Sequence, residues 1–172
     1  MSRCSKLFTK EAVMSDSAPS FDSNDVMAYI LGVCADNNIQ WNITKAQKLM
    51  YCCYGMILAV FGEKLTEEAP QAWQYGPVFP RTYNAIRKGR IRPGDDQGFS
   101  RACPPKWLPV LREAVQSFGQ FTASQLSTWS HRNGSPWYVA SSGGTELGVQ
   151  IPAKYISDYF SRFVKNDQAA AS

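Results

Sequence analysis

One histidine, His131, and five cysteines are the side chains of this sequence best able to do covalent chemistry. A cysteine nucleophile needs a base beside it and surroundings that favour the thiolate. Cys52 and Cys53 lie inside an uncharged apolar run, where a thiolate is penalised, and read as small hydrophobes. Cys103, in a Pro/Gly-rich loop, is the one cysteine placed to pair with His131 in a hydrolase, and its reaction with a thiol probe at neutral pH tests that idea. No C-x-x-C pair occurs, and one histidine with scattered cysteines gives no zinc spacing, so neither a metal nor a cofactor is expected. Glu67-Glu68 and Asp95-Asp96 are adjacent carboxylates in loops; neighbours in extended chain point to opposite sides and do not form the facing pair of a hydrolase. Gly143 and Gly144 match neither phosphate-binding glycine pattern. These patterns point away from an enzyme and towards a binding protein.

Two groups of residues fit binding. Trp73, Tyr75 and Phe79 bracket a Gly76-Pro77 turn, and Arg81 follows directly; Trp, Tyr and Arg dominate protein interfaces. If a partner binds, this turn and the start of the next helix are where it is expected. Arg81, Arg87, Lys88, Arg90 and Arg92 form the one concentration of charge. The plain reading is a solvated helix end stabilised by the dipole; the sharper one is a docking patch for an acidic protein. Nucleic acid is unlikely as a partner: the net charge is only +4, no helix-turn-helix pattern precedes the cluster, and no stacking aromatics interleave it. His131, near a helix end marked by Asn133-Gly134, has a structural explanation of the same kind, with Trp137 packing back onto the core after Pro136.

The elements that must position these residues are organised around one helix, at about 45–61. Thr44 and Gln47 match the capping box that opens a helix, and Ala46, Leu49, Met50, Cys53, Ile57, Val60 and Phe61 recur at helical spacing. The remaining faces are hardly more polar, which places the helix in a membrane or at a domain centre. The run is shorter than the roughly 18 apolar residues a span needs and is interrupted by Gly55, so the domain centre is expected and no membrane. Gly62 ends it. A short β element near 72–78 follows, then a helix opened by Pro80 and closed by Gly89.

Upstream, Asp22 caps a helix whose Val26, Tyr29, Ile30, Val33 and Cys34 form one apolar stripe, ended by Asn37-Asn38. Downstream, 90–105 reads as an exposed loop or short hairpin. A helix over 106–118 turns Trp107, Leu111, Ala114, Val115 and Phe118 inward. Thr122 with Gln125 repeats the capping box and opens a helix to His131. Pro152 opens a last helix carrying Tyr155, Ile156, Tyr159, Phe160 and Phe163. The fold class expected is mainly α: a single domain of about six helices in 22–165, with a disordered tail at 1–21 and a frayed end at 166–172. Met14 is an alternative start to Met1. With 44% apolar residues the chain can build a proper core, and the odd cysteine count with no disulfide framework fits a reducing, cytoplasmic setting.

Three motifs in order carry a family resemblance: QKLMYCCYG with Lys45 ahead of it (45–55), AWQYGPV (72–78) and HRNGSPW (131–137). The chain resembles the Panacea domain, the SocA-like antitoxin family also seen on prophages, over about 23–163. Cys52-Cys53 stand where a tyrosine and a small residue are commoner. The resemblance makes Lys45, Gln47, Lys48, Tyr51, Gly76, Pro77, His131, Pro136 and Trp137 motif residues with a structural role. It implies an antitoxin that neutralises a cognate toxin by direct contact, by sequestration or by delivery to a protease, and that is plausibly phage or prophage encoded in a bacterial cytoplasm. An alternative from another class is a phage-encoded inhibitor of a host defence protein, which need not have a toxin gene beside it.

Overall fold

A computed structural model describes residues 21–164, which form eight α-helices and one small hairpin among them. In chain order they are α1 (Ser23–Asp36), α2 (Ile43–Phe61), β1 (Gln71–Trp73), β2 (Gly76–Val78), α3 (Pro80–Arg87), α4 (Phe99–Ala102), α5 (Trp107–Phe118), α6 (Ala123–Ser130), α7 (Pro136–Ala140) and α8 (Ala153–Phe160), with a 3₁₀ turn at Ser161–Phe163. The fold is mainly α, and the six helices expected from the sequence are the six long ones. The expected tail, the frayed end and the choice between Met1 and Met14 fall on residues outside those described, apart from Phe21. That ring packs edge-on against Phe99 and Trp107.

α2 is the axis of the domain. It touches α1, α3, α5, α6, α8 and β2, which is why a helix apolar nearly all round is stable here without lipid. Leu49, Met50 and Ile57 are buried along it, each contributing about 1.5–3 kcal/mol of transfer free energy, and Tyr51 and Tyr54 are buried with them. Gly55 admits α8 to this axis: a Cβ there would lie 2.3 Å from the Phe160 ring. The interruption in the apolar run is therefore a packing site. Gly62 ends α2 in the left-handed conformation, its N–H donating to Leu58 O.

The start of α2 corrects the sequence reading. Asn42, not Thr44, is the cap, its Oδ1 accepting from the Lys45 N–H at 2.9 Å. Gln47 is buried and commits its amide elsewhere, donating to Thr82 Oγ1 at 2.9 Å and accepting from Phe79 N at 2.8 Å. Tertiary bonds win because a buried amide left unpaired costs more than a missing half of a capping box gains. At Thr122 and Gln125, both exposed, the same motif forms in full.

Other differences are local. The 90–105 segment contains α4, which buries Phe99 and leaves Cys103 beneath the surface. Pro136 opens a further short helix, α7, with Ser135 Oγ accepting from Tyr138 N. Gly76-Pro77 is not the turn, which falls at Gln74-Tyr75, but starts the returning strand; β1 and β2 pair antiparallel with Gln71 opposite Val78, Ala72 opposite Pro77 and Trp73 opposite Gly76. On α8, Ile156, Tyr159 and Phe160 are buried, whereas Tyr155 faces solvent and Phe163 is only partly covered.

Candidate partner-binding site

The β1–β2 hairpin has both edges occupied. On one side Ala72 exchanges backbone bonds with Val149 and Gly148, each at 2.8 Å. On the other, β2 packs against α2, so the hairpin offers a partner its tip, Gln74-Tyr75, rather than an edge.

That tip is held by side chains from three helices. Trp137 Nε1 donates to Trp73 O at 2.8 Å, and His131 Nε2 lies 2.8 Å from Gln74 O. Ser127 Oγ donates to Tyr75 O at 2.9 Å, and Lys48 Nζ to Pro77 O at 3.0 Å. The carbonyls of Trp73, Tyr75 and Pro77 thus accept from α7, α6 and α2, and the His131 ring faces that of Gln74. The Gln74 and Tyr75 carbonyls lie in the turn itself, outside the β1–β2 ladder, and these side chains face them there. His131 also places Nδ1 on Ser127 O and its ring against Trp137, with centroids 4.1 Å apart. Two carbonyl partners are both satisfied by donation only when both ring nitrogens carry hydrogen.

Lys48 is the most constrained member. Burial pushes its ammonium down to about 7, and the Cys52 thiol one turn away opposes that slightly. Gly76, with φ of +112°, lets the strand restart beside it: a Cβ there would lie 2.5 Å from both Lys48 Cε and Ser130 Oγ. Lys45 donates to Gly119 O at 2.7 Å, tying the end of α5 to α2, and Tyr51 meets Phe160 edge-on at 5.2 Å.

The residues expected to meet a partner fall into two groups. Tyr75 is 66% exposed, and Trp73 is partly exposed with Tyr83 edge-on at 5.1 Å. Arg87 and Lys88 are exposed on α3 with no ion pair among the described residues. Arg81 is exposed but tethered: its guanidinium pairs with Asp22 at the start of α1, and its N–H donates to Glu68 Oε1. Phe79 has no exposure and lies against Tyr54 at 5.6 Å, so it seats the hairpin on α2. The Cys103–His131 pair has no support in the geometry. Cys103 is buried, burial pushes its thiol up, and its Sγ points to Ser100 O, while both His131 ring nitrogens already face carbonyls. Burial also pushes the Cys52 and Cys53 thiols up. No helix of the described residues is long and apolar enough to cross a membrane.

The model of the antitoxin SocA-like Panacea domain matches residues 47–138. The curated protein Antitoxin SocA of Caulobacter vibrioides (strain NA1000 / CB15N) is 31% identical over 161 residues, 85% of this chain and 85% of that protein. The chain belongs to the SocA-like Panacea family. No solved structure matches it. The matched segment opens at Gln47, which pins Phe79, and closes one residue after Trp137, which pins Trp73. The three Panacea motifs, distant in sequence, therefore meet at one hairpin. Ser127, which holds the Tyr75 carbonyl, was not legible from the sequence: a serine-to-carbonyl bond across 52 residues leaves no local pattern.

Proposed function

We propose that this Panacea protein is an antitoxin that neutralises a cognate protein toxin by direct contact, with the hairpin tip and the adjoining face of α3 as one contact surface. One observation carries the reading: Tyr75 stands 66% exposed on a turn whose carbonyls are individually held. An aromatic presented on a rigid turn meets a partner with little conformational entropy to lose, and tyrosine is a frequent interface anchor. Trp73 supports its flank, and Arg81, Arg87 and Lys88 extend the surface towards an acidic partner.

Sequestration is the mode favoured by this presentation, since a preorganised contact needs no third protein. Co-expression with the toxin encoded beside it tests both points. Growth rescue with the toxin persisting in a complex supports sequestration; rescue with the toxin disappearing assigns delivery to a protease. Tyr75→Ala is expected to weaken the complex by about 2 kcal/mol, roughly 30-fold, and Arg81→Ala by less, with circular dichroism unchanged. If both variants lose their folded signal, the two residues support the fold and the contact surface lies elsewhere.

A further inference from the structure

On the side of α6 away from the hairpin, Phe118, Phe121, Leu126, Trp129 and Phe163 line a groove of about 470 Å³. Phe121 is 49% exposed and Phe163 38%. The wall is preassembled: Phe118 and Trp129 lie 5.7 Å apart, and Phe163 meets Phe118 edge-on at 5.6 Å. The groove has one ionisable residue, Arg132, which is exposed and forms no ion pair among the described residues. A second hollow of about 290 Å³ shares Phe118 and Phe163, and its one ionisable residue is Glu113.

We infer that this groove docks an apolar segment of the toxin that carries a carboxylate opposite Arg132, a reading that rests on the antitoxin function proposed above. Exposed aromatic walls with an arginine that has no ion pair among the described residues favour apolar anchors and an acidic partner residue. Glu113 across the Phe118–Phe163 wall disfavours a second carboxylate there, so the charge pattern also sets the direction in which the segment lies. Residues 165–172, KNDQAAAS, have no apolar side chain larger than alanine to fill such a volume, so the competing segment of this chain is 1–20, with Leu7 and Phe8.

Two dyes of one ring system test the chemistry on the full chain: 1-anilinonaphthalene-8-sulfonate, which is anionic, and N-phenyl-1-naphthylamine, which is neutral. Both are expected to bind, the sulfonate several-fold more tightly. Arg132→Gln should abolish that difference, and Phe121→Glu should weaken both, with near-ultraviolet circular dichroism unchanged. Equal affinity for the two dyes in the wild type overturns the assignment to Arg132. Tighter dye binding after removal of residues 1–20 or 165–172, or self-association lost in Phe121→Glu by light scattering, gives the groove to one of the chain's own tails or to a second copy and overturns the toxin assignment. In co-expression, Phe121→Glu should abolish rescue; full rescue by that variant overturns the inference while leaving the antitoxin reading intact. Failure of the wild type to rescue rejects the antitoxin reading, and the toxin assignment with it, whereas the dye affinities still report the groove's own preference.

Discussion

At the scale of single residues, Lys48 carries the sharpest physical consequence. Its folded-state value is pushed down to about 7, while an unfolded lysine titrates near 10.4. Between those limits the unfolded chain holds a proton that the folded chain has released. This contribution to stability therefore rises with pH from about 7 to about 10 and is level below, where both states are charged. Buried thiols such as Cys34, pushed up to about 11, act in the opposite sense above their unfolded values, so the Lys48 contribution is read as a difference between proteins. Lys48→Met leaves the thiols in place, and its stability relative to wild type should fall by about 1 kcal/mol per pH unit from pH 7.5 to 9 in urea titrations. A difference that stays flat over that range would show that the amine keeps its proton in the folded state. Its bond to Pro77 O is then an ordinary ammonium contact, and Gly76 is glycine for the space alone.

At the scale of elements, α8 is positioned by an absence of side chain. Gly55→Ala places a methyl within 2.5 Å of three ring atoms of Phe160, a side chain with no exposure. Overpacking of this kind costs about 1–3 kcal/mol, against a helix-propensity gain of at most about 1 kcal/mol. A net loss of stability is expected, and pairing the change with Phe160→Leu should recover part of it; a neutral or stabilising Gly55→Ala in thermal melts would place the α2–α8 contact further apart than described. The same contact shows what sequence makes legible. Long helices announce themselves through caps and repeated apolar positions, as α1 does with Asp22 and its buried stripe. Four- and five-residue helices such as α4 and α7 are too short for any period, and Phe99 was hidden among charged and glycine neighbours. At Gln47 the local motif was present and still misled, because a side chain's partner is chosen by burial as well as by spacing. For the candidate site, the aromatic turn and its motif residues were visible in the sequence. Their roles in holding the hairpin's carbonyls were not, since such bonds join elements whose sequence separation carries no signal.

At the scale of the whole molecule, the region that marks the family and the region that folds are different lengths of chain. Residues 47–138 contain the hairpin and every side chain that holds its tip. They lack α1, the Asn42 cap, the Gly148–Val149 backbone that completes the edge of β1, and α8 with the Phe160 that fills the Gly55 notch. α2 would then expose to water the faces that α1 and α8 cover, in a helix with almost no polar face to turn outward. A fragment of 47–138 is therefore expected to be unfolded or aggregated, with no cooperative thermal transition, whereas 21–164 should unfold in one step by far-ultraviolet circular dichroism and by tryptophan fluorescence together. Coincident transitions in the long fragment alone would mean that one core serves the whole domain, and that the hairpin's geometry depends on helices outside the matched segment. A cooperative melt of 47–138 would instead make α1 and α8 accessories. The groove beside Phe163 would then belong to a detachable layer, separable from the hairpin that presents Tyr75.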